Sequence, residues 1–321
     1  MANGEDSLRV KQRTISGGAL NEAALPAGVA VPGLRARPES PVEQAIRRLR
    51  KSTTAVIGAF IVIGLILVAL FADVLAPQSP IVSDQTQTFA RPSAEHPLGT
   101  DQLGRDMLSR VIHGSRVSLA VGVSSVVLAL FVGVPLGLIA GYVGGRADSV
   151  VMRAMDLILA FPVYLLAIII MIMFTPTSGL LGTIKVVGAI AIVRIPIYAR
   201  LVRGSVLSIK EKEYIEACRA LGARDPMIVL RHVLPNCMAP IIVTTTLGIA
   251  TAIIVEATLS FLGLGTQPPT PSWGWDLKAN VAFIQANAWL SLFPGLAIFV
   301  TVLGFNLFGD GLRDALDPRL K

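Results

Sequence analysis

The chain has 321 residues, of which 53% are hydrophobic and 15% charged, and a formal net charge of +7. Soluble domains carry about 25% charged residues, so the composition excludes an ordinary soluble globular protein and makes a bilayer part of the solvent. Nor does the positive charge mark a nucleic-acid binder. The basic residues stand in blocks between apolar runs, no basic stripe is interleaved with aromatics, and aromatics make up only 6% of the chain.

Residues 1–45 are rich in Gly, Ala, Pro and charge without a sustained period, which predicts a disordered tail. Arg47, Arg48, Arg50 and Lys51 then precede an apolar run over 54–75, close to the roughly 20 residues that a helix needs to cross hydrocarbon. The segment before this run far exceeds a signal-peptide n-region, so 46–76 reads as an uncleaved anchor helix. Residues 77–116 form a loop on the far side, with an interfacial helix expected over 95–116; its adjacent Arg105 and Asp106 are expected to be solvated or paired locally. Further spans are predicted near 117–142, 154–174, 180–202, 240–264 and 287–308, within a core domain 117–310 that is followed by a tail 311–321. The fold class is an all-α integral membrane protein with about six transmembrane helices. Gly133, Pro135, Pro162 and Pro196 interrupt the spans, as membrane helices tolerate. The fourth span also holds Lys185 and Arg194, which are expected to snorkel towards opposite faces.

Orientation follows from Lys and Arg placement. The tail, the loop near 143–153, the loop near 200–237 and the C-terminal segment hold nine, two, seven and three basic residues, against five in the alternate loops. Both termini are therefore expected in the cytoplasm.

The cytoplasmic segment 205–237 carries the most specific pattern. Helix formers fill 208–221 and Gly222 follows as a C-cap; Asp225-Pro226 starts a second short helix, and Pro235 is expected to stop it before the next span. Two short helices joined by a bend can seat in a groove of a soluble partner, or can be a plain interfacial loop.

Two acids approach the membrane interior. Asp156 lies close to Arg153 and Arg146, and pairing among them is expected at the interface. Glu256 lies about two-thirds along the fifth span, where an isolated charge costs about 2.5–3.5 kcal/mol. It must face the bundle interior, either in a structural hydrogen bond or in gating or solute passage. Trp273 and Trp275, in the Pro-rich loop 266–286, suit the headgroup region. Cys218, Cys237 and the scattered His96, His113 and His232 form no metal-binding pattern. No Gly-x4-Gly-Lys-Ser/Thr phosphate loop occurs, so this chain is expected not to be an enzyme and to bind no cofactor directly.

Glu216-Ala217-Cys218-x3-Gly222, followed by Leu234-Pro235, resembles the EAA loop of ABC-importer permeases, with Cys218 at the second alanine and His232 where isoleucine is usual. His96-Pro97-Leu98-Gly99-Thr100-Asp101 with Gly104-Arg105-Asp106, and Glu256-Ala257 through Gly265 with Pro268 to Gly274, are similar to segments of the peptide/nickel family. Together the three blocks resemble the C-type inner-membrane subunit of dipeptide and oligopeptide permeases, over roughly 50–320. The resemblance implies a type I ABC importer permease fold in the bacterial cytoplasmic (inner) membrane. It implies a second homologous permease subunit, separate ATP-binding subunits that use ATP and Mg, and an extracytoplasmic solute-binding protein docking near Trp273 and Trp275. Glu216, Ala217, Gly222, Leu234 and Pro235 would couple this subunit to the ATPase. Peptides are the substrates the resemblance favours, with nickel complexes and glutathione-like peptides left open. An ion-coupled secondary transporter, which would want paired broken helices and midplane ion ligands, and a membrane scaffold are the competing readings.

Overall fold

The computed structural model describes residues 41–173 and 179–316, so nearly all of the expected disordered tail and the last residues of the chain lie outside the description. Among the described residues the elements are helices, with one isolated bridge between Thr100 and Asp106. In chain order they are α1 (Pro41–Lys51), α2 (Thr53–Leu70), α3 (Ala72–Leu75), α4 (Met107–Val143), α5 (Gly145–Leu159), α6 (Val163–Met173), α7 (Gly179–Lys210), α8 (Glu213–Ala220), α9 (Asp225–Ile228), α10 (Leu234–Phe261), α11 (Trp273–Asn280) and α12 (Trp289–Leu316).

Among the described residues five helical segments are long and apolar enough to cross a bilayer, and counting the bent pair α5–α6 as one span makes six. Successive crossings place residues 76–106 and α11 at one end of the bundle, the cap end; α8 and α9 lie at the other, the loop end. At about 1.5 Å per residue, the 37 residues of α4 extend about 55 Å, beyond the roughly 30 Å hydrocarbon core.

The span expected over 154–174, with Pro162 interrupting it, is divided into two helices. α4 ends at Gly144, whose φ of 71° leaves the helical region, and α5 starts at once with its charged residues. The chain then bends by 89° between α5 and α6. Pro162 lies at that break, since it lacks an N–H and disfavours helix at the residue before it. Pro235 also differs from expectation. Instead of stopping a helix it sits in the first turn of α10, and residues 225–261 run on as one membrane-length segment. Val229–Val233 form a π-helical turn in which the Leu234 N–H reaches back to Val229 O. The wider turn accommodates the proline.

Charged residues are placed by packing. Asp156 pairs with Arg200 of α7 rather than with Arg153 or Arg146. Asp148 accepts from Arg203 Nε at 2.5 Å and from Nη2 at 2.6 Å, so both acids tie α5 to α7. Arg194 does not snorkel: it is 9% exposed and donates from Nη1 to Thr251 Oγ1 at 2.7 Å.

The α4–α7 contact is built on Gly133, Gly137 and Gly141, which share one face of α4. A Cβ on each would lie 2.8 Å from the Cβ of Tyr198, Val202 and Val206 respectively. Such spacing lets two membrane helices approach backbone to backbone. α10 packs against α4, α7 and α12, and α2 lies along α12, where Gly304 faces Ile61 and Gly311 faces Ala55. Outward-facing Phe60, Phe131 and Leu180 are 80%, 79% and 78% exposed, so these faces require lipid or another apolar surface.

Candidate functional site

At the loop end, α8 closes with a complete glycine-dependent cap. Gly222 has φ 79°; its N–H donates to Arg219 O at 2.9 Å, and the Ala223 N–H donates to Cys218 O at 3.0 Å. That pair of bonds satisfies the last carbonyls of α8 and reverses the chain into α9. The helix expected over 208–221 is broken between Lys210 and Glu213, so α7 and α8 are separate elements.

The bend is anchored from inside. Ile215, Ile228, Val233 and Cys237 are fully buried in one cluster with Val202, Val206 and Ile209 of α7, and Leu234 packs against it. From α4, Tyr142 Oη donates to Asp225 Oδ1 at 2.5 Å, while the Arg219 guanidinium lies 5.5 Å from the Tyr142 ring centre. Arg219 is held above its ordinary value, first by its contact with Tyr142. The outer side of the bend is open: Glu216, Ala217, Gly222 and Pro235 are exposed, and Leu221 is 88% exposed beside exposed Tyr214, Met227 and Leu230. Anchored side chains on one side and exposed apolar ones on the other make an element fixed to α4, α7 and α10 along its inner face. Tyr142, Arg219 and Asp225 were not legible as partners, because Tyr142 and Asp225 stand 83 residues apart.

At the cap end, Glu256 is fully buried. Its carboxylate accepts from Ser260 Oγ at 2.7 Å, Ser272 Oγ at 3.0 Å and Ser118 Oγ at 3.4 Å, tying α10, the segment before α11, and α4. Ser260 lies four residues on, on the same face of α10, and was readable from helical spacing; Ser118 and Ser272 were not. The bonds support a structural tie. Glu256→Gln keeps an acceptor for these hydroxyls and is expected to change stability by no more than about 1.5 kcal/mol, the net worth of one hydrogen bond. Thermal unfolding of the purified variant checks this, and a larger loss would mean that the charge itself is needed.

Residues 96–106 are non-helical, which corrects the start of the expected interfacial helix, and Arg105 and Asp106 are paired locally and not solvated. Asp106 is 1% exposed and caps α4, accepting from the Ser109 N–H at 2.8 Å and Oγ at 2.7 Å, while its other oxygen lies 3.0 Å from His96 Nδ1. Arg105 is buried against Asp101, donating from Nε at 2.7 Å. Arg110 donates from Nε to Asp276 Oδ1 at 2.7 Å and from Nη1 to Pro80 O at 3.0 Å. Burial pushes the Asp276 carboxyl above its ordinary value, and the Arg110 guanidinium pulls it only part of the way back. Exposed Asp73 at the same end is held low by Arg116 and, to a lesser degree, by His113.

Trp273 is 1% exposed and donates its indole N–H to Val111 O at 2.8 Å, with Gly114 beneath the ring. Its surface is consumed inside the chain, which corrects the expected headgroup or binding-protein contact. Trp275 is half-buried with Lys278 Nζ 4.7 Å from its ring centre. The structure does not bring Glu256 or the two tryptophans to Glu216, Ala217, Gly222, Leu234 and Pro235: the two sets occupy opposite ends of the bundle.

The arrangement is that of a multi-pass helical membrane protein with a bent, anchored loop at one end and a rigid polar cap at the other. Residues 133–321 match the family described as binding-protein-dependent transport system inner membrane component, and residues 40–92 match the N-terminal TM domain of oligopeptide transport permease C. The chain belongs to that family of transport permeases, whose members are not enzymes. It is 46% identical to the dipeptide transport system permease protein DppC of Alkalihalophilus pseudofirmus, over 88% of this chain and 91% of that one. Identity to the di/tripeptide transport system permease protein DppC of Pseudomonas aeruginosa is 45%, over 88% and 93% of the two chains. To the glutathione transport system permease protein GsiD of Escherichia coli it is 46%, over 88% and 92%. The fold is similar to a chain of the MetNI methionine ABC transporter in an inward-facing conformation, with a TM-score of 0.54 and 20% identity, covering 66% of this chain and 98% of that one.

Proposed function

We propose that this chain is the permease subunit of a binding-protein-dependent ABC importer and forms half of the path by which di- or oligopeptides cross the cytoplasmic membrane. The loop end faces the cytoplasm with both termini, where the excess of Lys and Arg places it. A second homologous permease completes the path, a solute-binding protein delivers the peptide at the cap end, and separate subunits hydrolyse ATP with Mg. The family match displaces the ion-coupled and scaffold readings. Relatives named for dipeptides, di/tripeptides and glutathione make a peptide backbone with a free carboxylate the solute class, and glutathione is the second reading.

The observation that carries the coupling role is the exposed apolar bend around Leu221, fixed from beneath by Tyr142 and the Ile215–Ile228 cluster. Closure of the ATPase pair would move this bend as a rigid body and, through α7 and α10, switch the path between two states. Its test is ATP-dependent uptake of dialanine by the full complex in vesicles. Glu216→Arg reverses a charge on the exposed face, and Gly222→Trp places a large side chain at the tip and strains the left-handed cap that Gly222 supplies at φ 79°. Both variants are expected to insert normally and to lose uptake at least about tenfold, as when an interface anchor is removed. Uptake at the unmodified rate in both would sink the coupling assignment. Glutathione competing with dialanine in the same assay would place the chain with the second reading.

A further inference from the structure

Arg194 stands half-way along α7. It lies nine residues, about 13 Å, from Arg203, whose pair with Asp148 sits near the loop end, and this distance approaches half of a roughly 30 Å hydrocarbon core. A cation at that depth costs about 2.5–3.5 kcal/mol unless it faces a polar partner or a water-filled path. Arg194 pairs with no carboxylate among the described residues. It donates to Thr251 and its Nε has no partner, while the hydroxyl of neighbouring Tyr198 interacts with the guanidinium. Both groups converge on Gly248, where a Cβ would lie 2.9 Å from Arg194 Nη2 and 2.7 Å from Tyr198 Oη.

Arg194 lines a groove of about 450 Å³ between α6, α7 and α10, walled by Val163, Tyr164, Gly248, Thr251 and Val255. Thr244 and Leu247 also line a second groove, of about 470 Å³, that continues to Pro240 and Arg313. Residues 240, 244, 247, 251 and 255 recur every three or four positions, so the two grooves form a strip along one face of α10. The strip holds two cations, Arg194 and exposed Arg313, and no acid among its described lining residues. Each groove falls in the size range of small-molecule sites.

We propose that Arg194 is a substrate-contacting residue of the translocation path, where it receives the terminal carboxylate of the passing peptide, with Thr251 holding the guanidinium in place. This inference rests on the peptide reading above. One fixed carboxylate from a neighbouring subunit would also satisfy Arg194, but it would not account for an open strip that continues to a second cation. A planar guanidinium with unused N–H groups matches a carboxylate, and a single contact of this kind can be released again.

The experiment uses the full complex in vesicles, loaded with the binding protein and dialanine, and compares the unmodified chain with Arg194→Gln and Arg194→Lys. Uptake and ATP hydrolysis are both recorded. Arg194→Gln is expected to lower uptake at least about tenfold, as loss of a charged hydrogen bond would, while ATP hydrolysis stimulated by the loaded binding protein persists. Arg194→Lys is expected to recover most of the uptake, because the charge is retained. Equal uptake by Arg194→Gln and the unmodified complex overturns this inference alone. Failure of either variant to assemble also overturns it, since the arginine would then be a structural contact to a neighbouring subunit. No dialanine uptake by the unmodified complex overturns the peptide reading, and the inference with it.

Discussion

Asp276→Ala is expected to destabilise the protein by about 3–5 kcal/mol, the usual cost of breaking a buried ion pair from one side. Arg110 and Asp276 are each 1% exposed and lie 166 residues apart, so their pairing holds the first turn of α4 against α11. Removing the acid leaves a guanidinium enclosed with one remaining bond, to Pro80 O. Both groups are stripped of water on burial, a cost that their attraction offsets only in part, so the pair fixes geometry more than it adds stability. The double variant Arg110→Met with Asp276→Leu is accordingly expected to recover at least half of the loss, because apolar side chains of similar size need no desolvation. Thermal unfolding of the purified protein in detergent measures both. A double variant as unstable as the single one would refute this account, since the damage would then lie in packing and not in an uncompensated charge.

What could be read from the sequence and what could not divide along physical lines. Residues 54–75 and 287–308 were legible as crossings because an apolar run of that length has one plausible solvent; α2 and α3 occupy the first, while α12 runs on to Leu316, into the stretch expected as a tail over 311–321. The bend of α5–α6 was hidden, although Pro162 was noted. Whether a proline kinks a span or ends it depends on what packs there, and Asp148 and Asp156 find their arginines on α7. Gly222 was legible because a left-handed C-cap is a local property, whereas the seat of its loop on Tyr142 is not. Adjacent Arg105 and Asp106 left solvation and local pairing both open, and the structure pairs them locally. Their burial is set by Asp101, His96 and Ser109, three local partners that are assembled only when the segment folds back on itself. Trp273 misled. An indole in a Pro-rich loop suggests a headgroup anchor, but its N–H is taken by Val111, 162 residues away.

The glycines of α4 were legible as interruptions and turn out to be its packing surface, which sets the second large effect. Gly137→Leu is expected to cost more than about 3 kcal/mol, the upper end of overpacking penalties. A Cβ at Gly137 would already lie 2.5 Å from Ala199 O and 2.8 Å from Val202 Cβ, and no leucine rotamer avoids both a backbone carbonyl and a β-branched residue. Neither obstacle is the far end of a flexible side chain, so relief requires α4 and α7 to separate. Separation would open the neighbouring contacts at Gly133 and Gly141 and withdraw Val202 and Val206 from the cluster that seats α8 and α9. Lipid contact offers little to replace those contacts, because association within hydrocarbon depends on close packing. Gly64→Leu on α2 is the matched control, since a Cβ there meets nothing within 4 Å. Protease resistance and thermal unfolding of the two variants in detergent decide the matter: Gly64→Leu is expected to behave as the unmodified chain, and equal behaviour of the two would refute the close α4–α7 approach. If Gly137→Leu still folds, uptake should fall with it, because the bend proposed to receive the ATPase stroke would no longer be fixed to the helices it would have to move.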